Sequence, residues 1–109
     1  MKTIYSNIIP LKNFTALTLW PFIFVRKDEE KYYTDVVERH EAIHGEQQKE
    51  MLVVFFLLWY GIEWLVKLCY YRNRMTAYKN ISFEREAYRN QNDSTYPDNR
   101  EHYSWIEYI

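Results

Sequence analysis

The sequence predicts a mainly α-helical fold with a minor β element, organised as a single domain over residues 1–109. Only 2 glycines and 3 prolines occur, so few positions favour a break in a helix. Apolar residues recur at helical spacing over residues 36–51. They make up 48 % of the chain, which is enough for one hydrophobic core.

The β element is predicted near the N-terminus. Residues 1–13 indicate an extended arm. Residues 14–25 are rich in β-branched and aromatic types and include Pro21, a composition typical of one or two short strands with an edge near the proline. The charged residues 26–31 that follow predict a turn.

The first helix is predicted to begin near Thr34 or Asp35, because threonine and aspartate are preferred N-cap residues. Beyond this cap, a single stripe of residues continues at a spacing of three and four. The stripe consists of Val36, Val37, His40, Ile43, His44, Gln47 and Met51.

The next segment, residues 51–71, is the most apolar of the chain. Residues 51–62 are apolar on every side, and Glu63 and Lys67 then follow at a spacing that permits an ion pair. The whole segment is close to the length of a membrane span and carries aromatic residues typical of membrane interfaces. Two alternatives remain open at this point: a fully buried core helix, and a helix that contacts a membrane surface.

Three elements are predicted in the C-terminal part. A turn at residues 72–74 precedes a helix over residues 76–92. A polar loop covers residues 90–99. A short amphipathic helix over residues 98–109 is expected to turn three apolar side chains inward, namely Trp105, Ile106 and Ile109.

Composition excludes several classes of protein. The net charge is −1 and no basic cluster occurs, which argues against a nucleic-acid partner. Cys69 is the one cysteine, so no internal disulfide can form. Residues 14–25 lack the flanks of a signal peptide, and we therefore expect a cytoplasmic protein or one associated peripherally with the inner membrane.

The segment His40-Glu41-Ala42-Ile43-His44 is an H-E-x-x-H motif. Four residues apart on a helix, both histidines share one face and can bind one Zn²⁺, while Glu41 is placed to deprotonate a metal-bound water. A catalytic zinc takes three protein ligands, so a third is needed elsewhere in the chain. The candidates are His102, Glu84 and Glu86.

The motif and the segment 83–88 together resemble the gluzincin metallopeptidases, in which H-E-x-x-H is followed downstream by a helix carrying Glu-x-x-Ala. The likeness is greatest to the membrane-associated branch that includes the prenyl-protein and heat-shock membrane proteases. It implies a minimal zincin-like core in which the active-site helix packs against a helix bearing the third ligand, Glu84. It also implies that Glu41 is the general base acting on a peptide or protein substrate. The chain departs from the group at Tyr88, where an aspartate is usual.

The same motif, extended over residues 40–48, also resembles the H-E-x-x-H-x-x-Q-Q stretch of small bacterial zincin-like domains. Gln47 and Gln48 could support the metal ligands or form a polar face, and their spacing does not distinguish the two roles. A hydroxyl or imidazole could stabilise an oxyanion. The candidates for that role are Tyr88, Tyr103 and His102.

Chain length imposes a geometric condition on this site. A straight helix from residue 44 to residue 72, followed by a return to Glu84, would leave Glu84 about 24 Å from the histidines. The chain must therefore bend, and we predict a break at residues 60–62 because Gly61 is the only glycine there.

Two functions follow as hypotheses. The first is a zinc-dependent metallopeptidase-like protein. The second is a non-enzymatic protein that binds a membrane or a partner helix through residues 51–71 and keeps a structural or vestigial metal site.

Overall fold

The computed structural model describes residues 1–10, 12 and 14–109. It is mainly α-helical with one small sheet, as predicted. The strands are β1 (Lys2–Ser6), β2 (Ala16–Leu19) and β3 (Phe22–Arg26). The α-helices are α1 (Asp35–Glu50), α2 (Val54–Tyr71), α3 (Arg74–Lys79), α4 (Ser82–Asn90) and α5 (Tyr96–Asn99), and 3₁₀ helices cover Lys27–Tyr32 and Ser104–Tyr108.

The sheet has the strand order β1-β3-β2. Residues 14–25 contribute a hairpin of two strands, as predicted, and Pro21 lies in its turn, where no backbone N–H is needed. Part of the predicted N-terminal arm is a strand, because β1 pairs in parallel with β3 from Lys2 opposite Phe22 onward. Positions 11 and 13 of that arm lie outside the described residues.

Helix α1 begins where the sequence predicts. The Thr34 hydroxyl accepts a hydrogen bond from the Val37 amide at 3.4 Å, so Thr34 is the N-cap. The predicted break at residues 60–62 is wrong, because α2 passes through Gly61 without interruption. The chain bends instead at residues 51–53, where Leu52 adopts a left-handed conformation with φ 53°. A single glycine costs a helix only about 1 kcal/mol, which tertiary contacts outweigh.

The inner side of α2 packs on the C-terminal elements. Phe56 lies in a buried cluster with Ile81, Phe83 and Trp105. The Glu63 carboxylate accepts hydrogen bonds from the Ser82 amide and hydroxyl, at 2.9 and 2.6 Å, and so caps α4. Glu63 is used in this contact rather than in the predicted pair with Lys67. These contacts hold α2 against α4.

The alternative of a fully buried core helix is wrong for α2. Phe56 and Glu63 are the buried residues among its 18. By length and composition alone, this helix is long and apolar enough to cross a membrane.

The C-terminal elements differ from the prediction in two ways. The single helix predicted over residues 76–92 is divided into α3 and α4 at Asn80 and Ile81. The last element is a 3₁₀ helix rather than an α-helix. Trp105 is buried as predicted, but Ile106 and Ile109 are more than half exposed. The shorter turn of a 3₁₀ helix places different residues on its inner side, which explains this error.

Candidate metal centre

The three predicted ligands meet between α1 and α4. His40, His44 and Glu84 are all buried. The Nε2 atoms of the two histidines lie 3.1 Å apart, and the Glu84 Oε1 atom lies 3.0 Å from that of His40 and 3.1 Å from that of His44. The bend at residues 51–53 therefore meets the geometric condition that the sequence imposed.

Each histidine ring is oriented by a glutamine. The Nδ1 atom of His40 lies 2.8 Å from the Gln91 Oε1 atom, and the Nδ1 atom of His44 lies 2.8 Å from the Gln47 Oε1 atom. An amide oxygen only accepts hydrogen bonds, so Nδ1 is the donor in each contact. The Nε2 atom of each ring then faces the other ring and Glu84. Three such atoms from two imidazoles and a carboxylate are suited to binding one cation.

The donor set fits zinc. Zinc–nitrogen and zinc–oxygen bonds measure about 2.0–2.2 Å, and three donor atoms 3.0–3.1 Å apart can all lie at that distance from one ion. Two imidazoles and one carboxylate are also a known catalytic set, which leaves a coordination position for water or substrate.

Glu84 rather than Glu86 supplies the carboxylate. The second oxygen of Glu84, Oε2, accepts a hydrogen bond from the Tyr60 hydroxyl at 2.7 Å, which leaves Oε1 directed at the histidines. Both oxygens of Glu86 are engaged elsewhere by Gln47, Tyr96 and Arg100. Sequence reasoning missed Tyr60, because only the packing of α2 on α4 brings it here.

The cluster is strongly coupled in its electrostatics. Burial would lower the pKa of His44, but the charge of Glu84 and its hydrogen bond raise that pKa to about 9. Burial would raise the pKa of Glu84, but the charge of His44 and hydrogen bonds from both histidines hold it well below its usual range. At neutral pH the metal-free site therefore holds a proton in the place of a cation.

Glu41 lies beside the cluster and is held by the sheet. The Thr18 hydroxyl of β2 donates to the Glu41 Oε1 atom at 2.8 Å and is 3.1 Å from the Glu41 backbone oxygen. Burial raises the pKa of Glu41 against the opposing charges of His44 and His40. Thr18 was not singled out in the sequence, since it lies 23 residues from Glu41 along the chain.

A cavity of about 270 Å³ opens beside these residues. Tyr88 stands at its wall with its ring centroid 4.4 Å from that of His40, and its hydroxyl lies 3.5 Å from that of Tyr78. Burial raises the pKa of both phenols, so both keep their protons. The cavity is lined by Phe14, Thr15, Ala16, Val36, Val37, His40, Glu41, Met75, Tyr78, Tyr88 and Gln91.

Two of the three candidates for an oxyanion donor lie elsewhere. The Tyr103 amide and hydroxyl bond to Glu50 at the far end of α1, and the His102 ring lies 3.4 Å from the Glu50 carboxylate. His102 is therefore neither a third ligand nor a fourth. Tyr88 is the one candidate that reaches the cavity, and Tyr78 joins it there.

The two glutamines that follow the motif have different roles. Gln47 is fully buried and orients His44, while its amide nitrogen donates to Glu86 at 3.0 Å. Gln48 binds β2 instead: it donates to the Thr18 oxygen and accepts from the Trp20 amide. Gln47 thus orients the candidate ligand His44, and Gln48 connects the sheet to α1 by hydrogen bonds.

No protein-family model, curated protein or solved structure matches this chain. The likeness to gluzincins therefore stays a prediction from the motif, and the case for a function depends on the geometry above.

Proposed function

We propose that this protein is a zinc-dependent hydrolase of the peptidase type, in which His40, His44 and Glu84 bind the metal and Glu41 is the general base. The observation that carries the proposal is the convergence of three candidate ligand atoms on one point, with the Glu41 carboxylate on the adjoining cavity. A zinc ion bound there supplies a Lewis acid that acidifies water and polarises a carbonyl group.

The side chains around the metal site each have a separate role in the proposed hydrolysis. The Glu41 carboxylate accepts the proton of the attacking water and returns it to the leaving amine nitrogen. The hydroxyl of Thr18 orients Glu41 for both steps. The phenol groups of Tyr78 and Tyr88 are protonated donors on the cavity wall, suited to the oxygen that becomes negative as the carbonyl is attacked.

A peptide substrate is supported by the position of β2. This strand is an edge of the sheet among the described residues, and Thr15 and Ala16 line the cavity. The backbone oxygen of Thr18 faces away from β3, since it accepts a bond from Gln48. Residues two apart in a strand direct their backbone N–H and C=O groups to the same side. The backbone groups of Ala16, two residues before Thr18, therefore also face away from β3, next to His40 and Glu41. An extended peptide can pair there.

Elemental analysis of the purified chain tests the metal. We expect one zinc per chain, and loss of that zinc in His40→Ala. A preparation without stoichiometric zinc, with no difference between the wild type and His40→Ala, would contradict the proposal.

Hydrolysis of a fluorogenic peptide library tests the chemistry. Glu41→Gln should retain zinc but lose activity by at least about 100-fold, because general-base catalysis contributes that much or more. Glu38→Gln is the matched control, since Glu38 is exposed on the same helix. Zinc binding without any turnover in the wild type would favour the alternative of a non-enzymatic protein with a structural metal site.

A further inference from the structure

Helix α2 has the reverse of the polarity expected at a protein surface. Its acidic residue, Glu63, faces inward, whereas a face of Val54, Leu58, Ile62 and Leu65 is directed at solvent. These four side chains are 56 to 65 % exposed. They repeat at three and four residues, so they form one continuous stripe from the first residue of the helix to Leu65.

The stripe continues beyond the helix. Leu52, in the bend before α2, is 70 % exposed although its left-handed backbone conformation would favour glycine. Phe55 and Val66 widen the stripe and are both about 60 % exposed. Soluble monomeric proteins rarely expose a contiguous apolar patch larger than roughly a few hundred Å². A face of this length therefore requires an apolar partner.

The charges in the C-terminal part of α2 and in α3 indicate the partner. Residues 64–83 carry four cations and no acid, although the chain as a whole has a net charge of −1. Within the described residues none of the four makes an ion pair. Cations grouped at the end of an apolar helix are suited to anionic lipid headgroups. The same segment of a second copy would bring the same cations and no acid. The four are Lys67, Arg72, Arg74 and Lys79.

We propose that the outer face of α2, together with Leu52, binds an anionic lipid bilayer and that α2 lies along the bilayer surface rather than across it. Aromatic residues at the end of the helix, Tyr70 and Tyr71, are placed at headgroup level in this arrangement. The proposal is independent of the metal.

The dimensions of the molecule and its lateral contacts argue against the crossing arrangement. Helix α2 is about 27 Å long at the usual rise per residue, and the whole molecule measures 33 × 32 × 25 Å. The hydrocarbon core of a bilayer is about 30 Å thick. Since Tyr60 and Glu63 bind α2 laterally to α4, a crossing helix would draw the entire chain to hydrocarbon depth. Exposed charges such as that of Asp28 would then lose their water.

Vesicle flotation of the purified chain tests the surface. We expect the protein to float with vesicles of phosphatidylglycerol and phosphatidylcholine, and at least tenfold less with phosphatidylcholine alone. Leu58→Glu combined with Leu65→Glu should lower the bound fraction at least tenfold. Arg72→Glu combined with Arg74→Glu should remove the preference for anionic vesicles. Ile8→Glu is the matched control, because Ile8 is 77 % exposed but lies outside α2.

Circular dichroism confirms that each variant is folded before its vesicle binding is compared with that of the wild type. Equal flotation of the wild type and the Leu58→Glu, Leu65→Glu variant would overturn the proposal. So would a wild type that stays monomeric without binding vesicles. A lipid-free dimer that Leu65→Glu dissociates, with no vesicle binding, would overturn it in favour of a second copy.

The depth of a spin label distinguishes lying from crossing. Cys69 is the one cysteine and is exposed on the outer face, so it takes a nitroxide label directly. Leu58→Cys and Leu65→Cys in a Cys69→Ser chain provide two further positions. We expect equal, shallow depths at all three. Depths that differ by about 1.5 Å per residue along the helix would show that α2 crosses the bilayer and overturn the lying arrangement.

Discussion

Helices α1 and α2 are neighbours in the chain, but α1 buries mostly polar residues and α2 exposes mostly apolar ones. Seven residues of α1 are buried, and five of them are polar or ionisable. Helix α2 is the more apolar of the two, but it buries Phe56 and Glu63 and exposes most of its aliphatic side chains. The five in α1 are His40, Glu41, His44, Gln47 and Gln48.

The difference shows what each helix is built to contact. Burying polar groups is costly unless each finds a partner, and in α1 the partners come from β2, α4 and Gln91. The aliphatic face of α2 has no such cover in the described part of the chain. Stability alone would favour exchanging the two patterns. We therefore interpret both departures as functional, with a cation as the partner of α1 and lipid as the partner of α2.

The largest effect is expected from breaking the polar interior behind α1. Glu86→Ala removes the acceptor that Arg100 and Gln47 share, while Arg100 keeps its pair with Glu50, so we expect a loss of about 1–3 kcal/mol in the free energy of unfolding. Urea denaturation measures it. Glu46→Ala, which breaks an exposed pair with Lys49, is the control and should change stability by less than about 1 kcal/mol. Similar losses in both variants would mean that the buried polar network does not hold α1 in place.

A smaller effect is expected from a residue that orients a ligand without touching the metal. Gln91→Leu removes the acceptor of the His40 Nδ1 hydrogen, and loss of such a partner typically weakens metal affinity by about 10–100-fold. Competition with a zinc chelator measures the change. Asn92→Leu, at the exposed neighbouring position, should leave the affinity unchanged. An unchanged affinity in Gln91→Leu would show that His40 needs no support from this side chain.

The next expectation concerns pH. Because the pKa of His44 is raised from 6.5 to about 9 in the metal-free site, zinc must displace a proton at neutral pH. The apparent zinc affinity should therefore rise with pH, by up to about tenfold per unit, and level off above the raised pKa. Chelator competition at several pH values measures it. A constant affinity between pH 7 and pH 9 would show that His44 is neutral without the metal.

The smallest effect is expected on α2. Gly61 lies within the helix, and a Cβ added there would meet no atom within 4 Å. Gly61→Ala should therefore stabilise the chain by about 0.5–1 kcal/mol and leave vesicle binding unchanged. Gly45→Ala in α1 is the contrast, because its Cβ would come 2.6 Å from the Met1 side chain and must displace it. A loss of stability in Gly61→Ala would indicate that α2 does need the glycine.

The parts that the sequence predicted depend on local spacing. The Thr34 cap, the start of α1 and the shared face of His40 and His44 need only local sequence signals and the helical repeat. Glu84 was nominated by likeness to a motif, and the requirement for a bend came from chain length. The predicted location of that bend was wrong, because glycine content suggested Gly61, whereas α2 continues through Gly61 and the left-handed residue is Leu52.

The sequence by itself determined the chemical groups that the chain offers. These are the imidazoles of His40 and His44 and the carboxylate of Glu41 on one helix, and an apolar segment directly after it. Only the tertiary structure decided how that chemistry is used. It brought Glu84, Tyr60 and Gln91 to the histidines, and it turned the apolar side of α2 outward. Spacing along a helix is local and can be read from the chain. Contacts between residues 24 to 51 positions apart depend on how whole elements pack.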